Sequence, residues 1–323
     1  MARTTARIAE DIRTLKVQGA RRVAQAALEG LVSAAAASRA RTKSALYVDL
    51  LKAAQMLKST RPTEPMMRNA LEDSLRFGLA WIHTHKDENP KELVSAMQKH
   101  QKKLLGEMRE AVDKIAKAGA AQIPKGGRVL IHCHSTTVIR VLIQAQKMGK
   151  RPHVVCLETR PLYQGRLSAR ELAAAGIDVT LAVDSAAGSL MDKTDVVLVG
   201  ADAMTADGSL INKVGTCGLA QLARAHGVRF LCAAELYKYD PLTRFGADEK
   251  IEQRAPREVW GSGYYRQEKR GKAKVLPKPA GLKILNPAFD RTPAVYISSY
   301  ITEEGLVQPA RLAKLARRKL AGA

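Results

Sequence analysis

The chain reads as an α/β protein in two parts, an all-helical region followed by a doubly wound parallel sheet. Up to about residue 120, apolar residues recur at helical spacing in an Ala-rich background, and no strand-like run interrupts them. Beyond Pro124-Lys125-Gly126-Gly127, short Val/Leu/Ile runs alternate with helical stretches, the pattern of parallel strands joined by crossover helices. Each run also ends in polar residues, and an open α/β sheet binds its ligands along the carboxyl ends of its strands. The boundary is placed at residue 122, giving a helical domain over 1–122 and a sheet domain over 123–323.

In chain order, residues 7–38 are helical with a break at Gln18-Gly19-Ala20. Further helices are expected over 43–58, 66–84 and 90–119, with Ser59-Thr60-Arg61-Pro62-Thr63-Glu64-Pro65 as a breaker. Strands are expected at 129–133, 152–157, 178–183, 194–199 and 228–233. Helices are expected at 136–148, 168–175, 217–226 and 308–320. Residues 241–283 read as irregular and basic, and the segment 264–280 has no assigned role.

Composition narrows the function classes. A hydrophobic share of 46% supplies a core, and no apolar run is long enough to span a bilayer. Glu10 and Asp11 interrupt the N-terminal stretch, so no signal peptide is expected. Cys133, Cys156, Cys217 and Cys232 lie far apart without a CxxC pair, which points to reduced thiols in a cytoplasm rather than to a disulfide framework or zinc. The net charge of +22 suits acidic partners, among them phosphorylated small molecules. The charge does not exclude nucleic acid, but no zinc finger, RNA-binding signature or basic-aromatic repeat is present. No GxGxxG follows the first strand, so a dinucleotide cofactor is not expected.

The candidate site is built from strand ends. Cys133 falls in the turn between the first strand and a helix that Ser135, Thr136 and Thr137 are suited to cap. Backbone N–H groups and the positive end of a helix dipole lower a cysteine pKa there and attract phosphate. A small residue filling a tight turn is the plainer reading of the same cysteine. Only one of His132 and His134 is expected to share its face. Asp202 ends another strand, and a carboxyl group in a desolvated pocket can stay protonated and act as an acid. Asn212, Lys213 and Lys238 add polar and cationic groups at the same edge. Gly19-Ala20, with Arg21 and Arg22, suits either an anion at a helix N-terminus or close approach of two helices. Arg61, held extended before Pro62, suits a phosphate.

Several segments are distinctive together: His132-Cys133-His134-Ser135, Glu158-Thr159-Arg160-Pro161-Leu162-Tyr163-Gln164-Gly165, Val183-Asp184-Ser185-Ala186-Ala187-Gly188, Gly200-Ala201-Asp202, Ile211-Asn212-Lys213-Val214-Gly215-Thr216, Ala233-Ala234-Glu235-Leu236-Tyr237-Lys238 and Asn286-Pro287-Ala288-Phe289-Asp290. Through them the chain resembles, nearly end to end, the family of aldose-1-phosphate isomerases and translation-initiation exchange-factor regulatory subunits. The resemblance implies a helical N-terminal domain and a Rossmann-like sheet domain. Cys-His-Ser at 133–135 and Glu235-Leu-Tyr-Lys238 look most like the archaeal branch acting on ribose 1,5-bisphosphate.

The resemblance implies isomerisation to ribulose 1,5-bisphosphate in nucleoside monophosphate breakdown, with Cys133 as base and Asp202 as acid. It implies that Gln18, Gly19, Ala20, Arg21, Arg61, Gln164, Asn212, Lys213 and Lys238 hold the substrate, and that neither metal nor organic cofactor takes part. It further suggests AMP as an activator and a homo-oligomer, either a dimer or a trimer of dimers. One departure is Gln18, which stands where the family's first turn usually carries Arg, leaving Arg21 or Arg22 to supply the charge. Two readings compete: a non-catalytic exchange-factor regulatory subunit, and methylthioribose-1-phosphate isomerase.

Overall fold

In a computed structural model of the protein, residues 3–85, 89–245, 251–260, 265–267, 273–275 and 278–321 are described. Five helices come first: α1 (Thr5–Arg13), α2 (Ala20–Ala37), α3 (Lys43–Thr60), α4 (Pro65–Thr84) and α5 (Pro90–Gln122). Local chemistry sets their starts. Thr4, Thr42 and Asn89 accept hydrogen bonds from backbone N–H groups in the first turns of α1, α3 and α5, and proline opens α4 and α5. Gly19 leads into α2 with φ of 86°, a left-handed conformation that suits glycine.

Helix α5 belongs to two cores. Leu93, Met97, Leu104 and Met108 recur at intervals of four and seven along one stripe and pack among Leu28, Leu50, Leu57 and Met66 of the helical layer. The same stripe continues through Ile115 and Ala120 into the packing beneath the sheet.

The remaining elements are β1 (Arg128–Ile131), α6 (Thr136–Lys147), β2 (His153–Leu157), α7 (Gln164–Ala174), β3 (Asp178–Ala182), α8 (Ala187–Met191), β4 (Val196–Val199), β5 (Ala203–Met204), β6 (Leu210–Lys213), α9 (Thr216–Ala225), β7 (Arg229–Ala233), α10 (Arg257–Trp260), β8 (Tyr265–Gln267), β9 (Ala273–Val275), β10 (Phe289–Thr292), β11 (Ser299–Thr302), β12 (Gly305–Val307) and α11 (Pro309–Ala321). The main sheet has seven strands in the order β12-β11-β7-β4-β1-β2-β3, parallel except for the edge strand β12. Its central strands are buried on both faces. Leu130, Val155 and Val197 pack to one side, Val129, Val154 and Val196 to the other. The expected helical region followed by a doubly wound parallel sheet is therefore observed.

Strand order reverses between β1 and β4, which are adjacent and in register from Val129↔Val196 to Ile131↔Leu198. A crevice opens at such a switch point, beyond the carboxyl ends of the two strands. The stretches holding Cys133 and Asp202 leave from those two ends.

Three of the differences from expectation lie at the elements that carry candidate site residues. The first strand stops at Ile131, two residues early, because the backbone turns at Cys133. Helix α7 starts at Gln164, four residues before its expected start. Asn212 and Lys213 lie on β6, in a small antiparallel sheet of order β10-β6-β5 that strand-length patterning does not reveal. The segment 264–280, left without a role, falls in part outside the described residues. No helix among the described residues is long and apolar enough to cross a membrane.

Candidate active site

A cavity of about 530 Å³ lies at the switch point, and all eleven sequence-predicted site residues line it: Gln18, Gly19, Ala20, Arg21, Arg61, Cys133, Gln164, Asp202, Asn212, Lys213 and Lys238. The helical layer supplies one wall through the start of α2 and the α3–α4 turn. The sheet supplies the floor.

Cys133 adopts a left-handed backbone with φ of 69°. A non-glycine residue is held there only when its surroundings over-determine it, and the contacts are visible. Its N–H donates to Thr159 Oγ1 at 2.8 Å, and its carbonyl accepts from Ser168 Oγ at 3.0 Å. Thr159 is itself fixed by Asp184, whose carboxylate accepts from the N–H groups of Thr159 and Arg160, both at 2.7 Å. The turn reorients the chain, so His132 and His134 both line the cavity, which corrects the expectation that only one shares the face of Cys133. His132 donates Nε2–H to the Val214 carbonyl at 2.9 Å, and burial lowers its pKa, so it is a neutral structural ring.

Gly165 fixes where α7 begins. A Cβ built there would lie 1.7 Å from the Leu157 carbonyl oxygen, at the end of β2. Gly165→Ala is expected to destabilise the protein by about 3 kcal/mol or more, since backbone rather than a side chain must move. A urea melt with circular dichroism checks it, and an unchanged midpoint would contradict the close approach.

Asp202 is held by its N–H to the Ile211 carbonyl at 2.9 Å, so the small sheet positions it. Burial raises its pKa, while Lys213, Lys238 and Arg61 pull in the other direction without prevailing. Cys133 departs from expectation. Burial pushes its thiol up to about 12, outweighing the help of Lys213, and Asp202 and Asp184 add to the rise. The positive helix end was expected to lower it; desolvation of a thiolate in this enclosed position wins instead.

The cations differ in freedom. Lys213 is buried, with Nζ 5.0 Å from the Phe289 ring centre. Lys238 donates to the Ala201 carbonyl at 2.7 Å and stands 3.8 Å from Glu235. Arg61 is held between Glu64 at 3.1 Å and Glu252 at 3.2 Å. Arg21 is tied through Nε to Glu235 at 2.9 Å and donates to Thr137 Oγ1 at 3.2 Å. Gln18 turns away and donates to the Leu15 carbonyl at 2.9 Å. Of the two arginines expected to stand in for the missing one, Arg21 is therefore paired. Arg22 is exposed on the cavity wall and has no ion pair among the described residues. Asn212 donates to Thr216 Oγ1 at 3.0 Å, and Gln164 opens α7.

Sequence reasoning missed Glu64, Glu252, Arg170 and Arg254 as cavity residues. Glu64 reads only as the residue ahead of a helix-starting proline, and Glu252 and Arg254 lie in a stretch without periodicity. No local signal marks any of them.

The model of the initiation factor 2 subunit family matches residues 16–309, most of the chain. The chain belongs to this family. Within it, ribose 1,5-bisphosphate isomerase of Pyrococcus furiosus is 37% identical over 302 residues, covering 94% of this chain and 90% of that protein. Methylthioribose-1-phosphate isomerase of Desulforamulus reducens is 36% identical over 321 residues, covering 96% and 89%. Among solved structures, the translation initiation factor eIF-2B of Pyrococcus horikoshii superposes with a TM-score of 0.76 at 25% identity, covering 95% of this chain and 98% of that one.

Proposed function

We propose that the chain is an aldose–ketose isomerase that converts α-D-ribose 1,5-bisphosphate into D-ribulose 1,5-bisphosphate, with Cys133 and Asp202 as its acid–base pair. The observation that carries the reading is a single cavity, at the switch point of the sheet, lined by that pair together with eight cationic and three further acidic side chains. A bisphosphate is the kind of ligand that such an excess of positive charge suits. The cations stand on both walls, Arg21 and Arg22 at the start of α2, Lys213 and Lys238 over the sheet. The N-terminus of α6, with Ser135, Thr136 and Thr137 in the lining, adds backbone N–H groups suited to phosphate.

The anomeric carbon of this substrate carries a phosphate, so a free aldehyde would expel it. The route keeps the phosphate by opening the ring without forming that aldehyde. Asp202 gives its proton to the ring oxygen as the bond from C1 to that oxygen breaks. The Cys133 thiolate takes the proton from C2, and an enol phosphate forms with a C1=C2 double bond. Cys133 returns that proton to C1. The C2 hydroxyl gives its proton to Asp202, leaving a ketone at C2 and both groups as they began. Enclosure of the site excludes water from the enol phosphate.

The starting protonation needs one internal transfer. With Cys133 raised to about 12 the cysteine rests as a thiol, and from the form that pairs it with a carboxylate the proton moves from sulfur to Asp202. The reactive form holds a thiolate and a carboxylic acid. Both carry the same number of protons, so their ratio does not change with pH between the two pKa values. The raised pKa of Asp202 narrows the gap, and a thiolate of high pKa is a strong base for a carbon acid once formed.

The competing substrate, methylthioribose 1-phosphate, has one phosphate and a thioether that calls for an apolar end. The second cationic wall favours the bisphosphate. A coupled assay decides. Purified protein is expected to turn over ribose 1,5-bisphosphate with kcat/KM about 10- to 100-fold above that for methylthioribose 1-phosphate, since one charged contact is worth roughly 1.5–3 kcal/mol. The reverse preference would move the assignment to the thioether substrate, and turnover of neither would favour a regulatory subunit.

A further inference from the structure

Glu64 is the least expected residue of the cavity. Only 2% of it is exposed, yet it lines the cavity wall. Its Oε1 pairs with Arg61 Nη1 at 3.1 Å. Its Oε2 is buried and has no hydrogen-bond partner among the described residues. Leaving a buried carboxylate oxygen without a donor is unfavourable, and folded proteins seldom tolerate it without a purpose. The charged groups acting on it are Arg61, Asp202, Lys238 and Glu252, and burial pushes its pKa up to about 7 in spite of the two cations. Arg61, moreover, is also paired with Glu252, so Glu64 is not its sole counter-charge.

We propose that Glu64 is a substrate-binding residue whose unpaired Oε2 accepts a hydrogen bond from the C3 hydroxyl of the bound sugar. This deepens the isomerase reading and rests on it. In that reaction C1 and C5 carry phosphates, the C2 hydroxyl becomes the ketone, and the ring oxygen takes a proton from Asp202. The C3 hydroxyl alone has no part in the chemistry, and a desolvated site must still give its proton an acceptor. C3 is two bonds from the ring oxygen through C4. A carboxylate close enough to Asp202 to feel its charge is therefore well placed to reach that hydroxyl. The contact would select a ribose-type 3-hydroxyl over a 3-deoxy sugar, because the deoxy ligand leaves Oε2 buried and unpaired.

The test is a binding cycle by calorimetry. Wild type, Glu64→Ala and Glu64→Gln are each titrated with ribose 5-phosphate and with 3-deoxyribose 5-phosphate. Removing the 3-hydroxyl is expected to weaken binding to wild type by about 10- to 100-fold, the range for a hydrogen bond to a charged group. Glu64→Ala is expected to weaken ribose 5-phosphate by a similar factor and to make the two ligands bind equally. Glu64→Gln, which keeps the shape, is expected to narrow the preference while leaving affinity for the deoxy ligand unchanged. Variants that lose both ligands in equal proportion, or a wild type that does not distinguish them, would overturn the proposal. The cycle needs no turnover. Failure of the bisphosphate assay therefore strikes the isomerase reading, and failure of the cycle strikes Glu64.

Discussion

Cys133→Ser and Asp202→Asn are each expected to lower kcat by about 10²- to 10⁴-fold while leaving the protein folded, the range for losing one positioned proton-transfer group. Both side chains face the cavity rather than holding the core together. The turn at Cys133 is fixed by its backbone N–H and carbonyl, contacts that serine keeps. The double variant is expected to be little worse than the poorer single one, because the two groups act in one proton cycle.

The pH profile adds a second reading of the same pair. Log kcat/KM of the wild type is expected to be flat between the pKa of Asp202 and that of Cys133, since thiolate and carboxylic acid populations vary in opposite directions there. It is expected to fall below the pKa of Asp202, which burial places above the ordinary carboxylate range. A rate that instead rises tenfold per unit over the whole accessible range, without a plateau, would mean that Cys133 alone titrates. The measurement is a steady-state pH series with protein stability followed in parallel.

Much of this site is legible in the sequence because its parts are local. Cys133 follows an apolar run and precedes cap residues, so a strand, a turn and a helix start can be read within ten positions. Asp202 follows Val196–Val199 in the same way. The protonation state of Cys133 is another matter. A turn and a helix dipole are local, but desolvation depends on what covers the site. Here the start of α2, Phe289 at the start of β10 and the Arg61–Glu64 turn all reach the cavity from distant parts of the chain. The same holds for Gln18 and Arg21, whose positions in the turn were legible but whose partners were not. A glutamine at that point reads as a lost charge. The structure turns it back on Leu15 and gives Arg21 to an acid 214 residues away. Asn212 and Lys213 sit on a strand of four residues within a small sheet, too short for a period of two to declare itself.

That distant acid, Glu235, carries the second large expectation. It is 1% exposed and lies between two cations, Arg21 of the helical layer and Lys238 at the sheet. Burial alone would raise its pKa, yet Lys238 and Arg21 outweigh burial and hold it below the usual carboxylate range. Replacing it leaves two like charges facing each other in a poorly hydrated place, and breaking a buried pair in this way is worth about 3–5 kcal/mol. Glu235→Ala is accordingly expected to lower the unfolding free energy by that amount, measured by urea denaturation at pH 7. The pH dependence has a definite sign. A carboxylate with a depressed folded pKa contributes its stability in full above the unfolded value of about 4.5 and loses it as pH falls through the folded one. Wild type should therefore lose part of its advantage over the variant on acidification, and the gap between their midpoints should shrink below pH 4.5. A gap independent of pH would mean that Glu235 acts by packing rather than charge. The functional consequence follows from the same geometry. Arg21 is oriented toward the cavity only while Glu235 holds it, so the variant is expected to raise KM more than it lowers kcat.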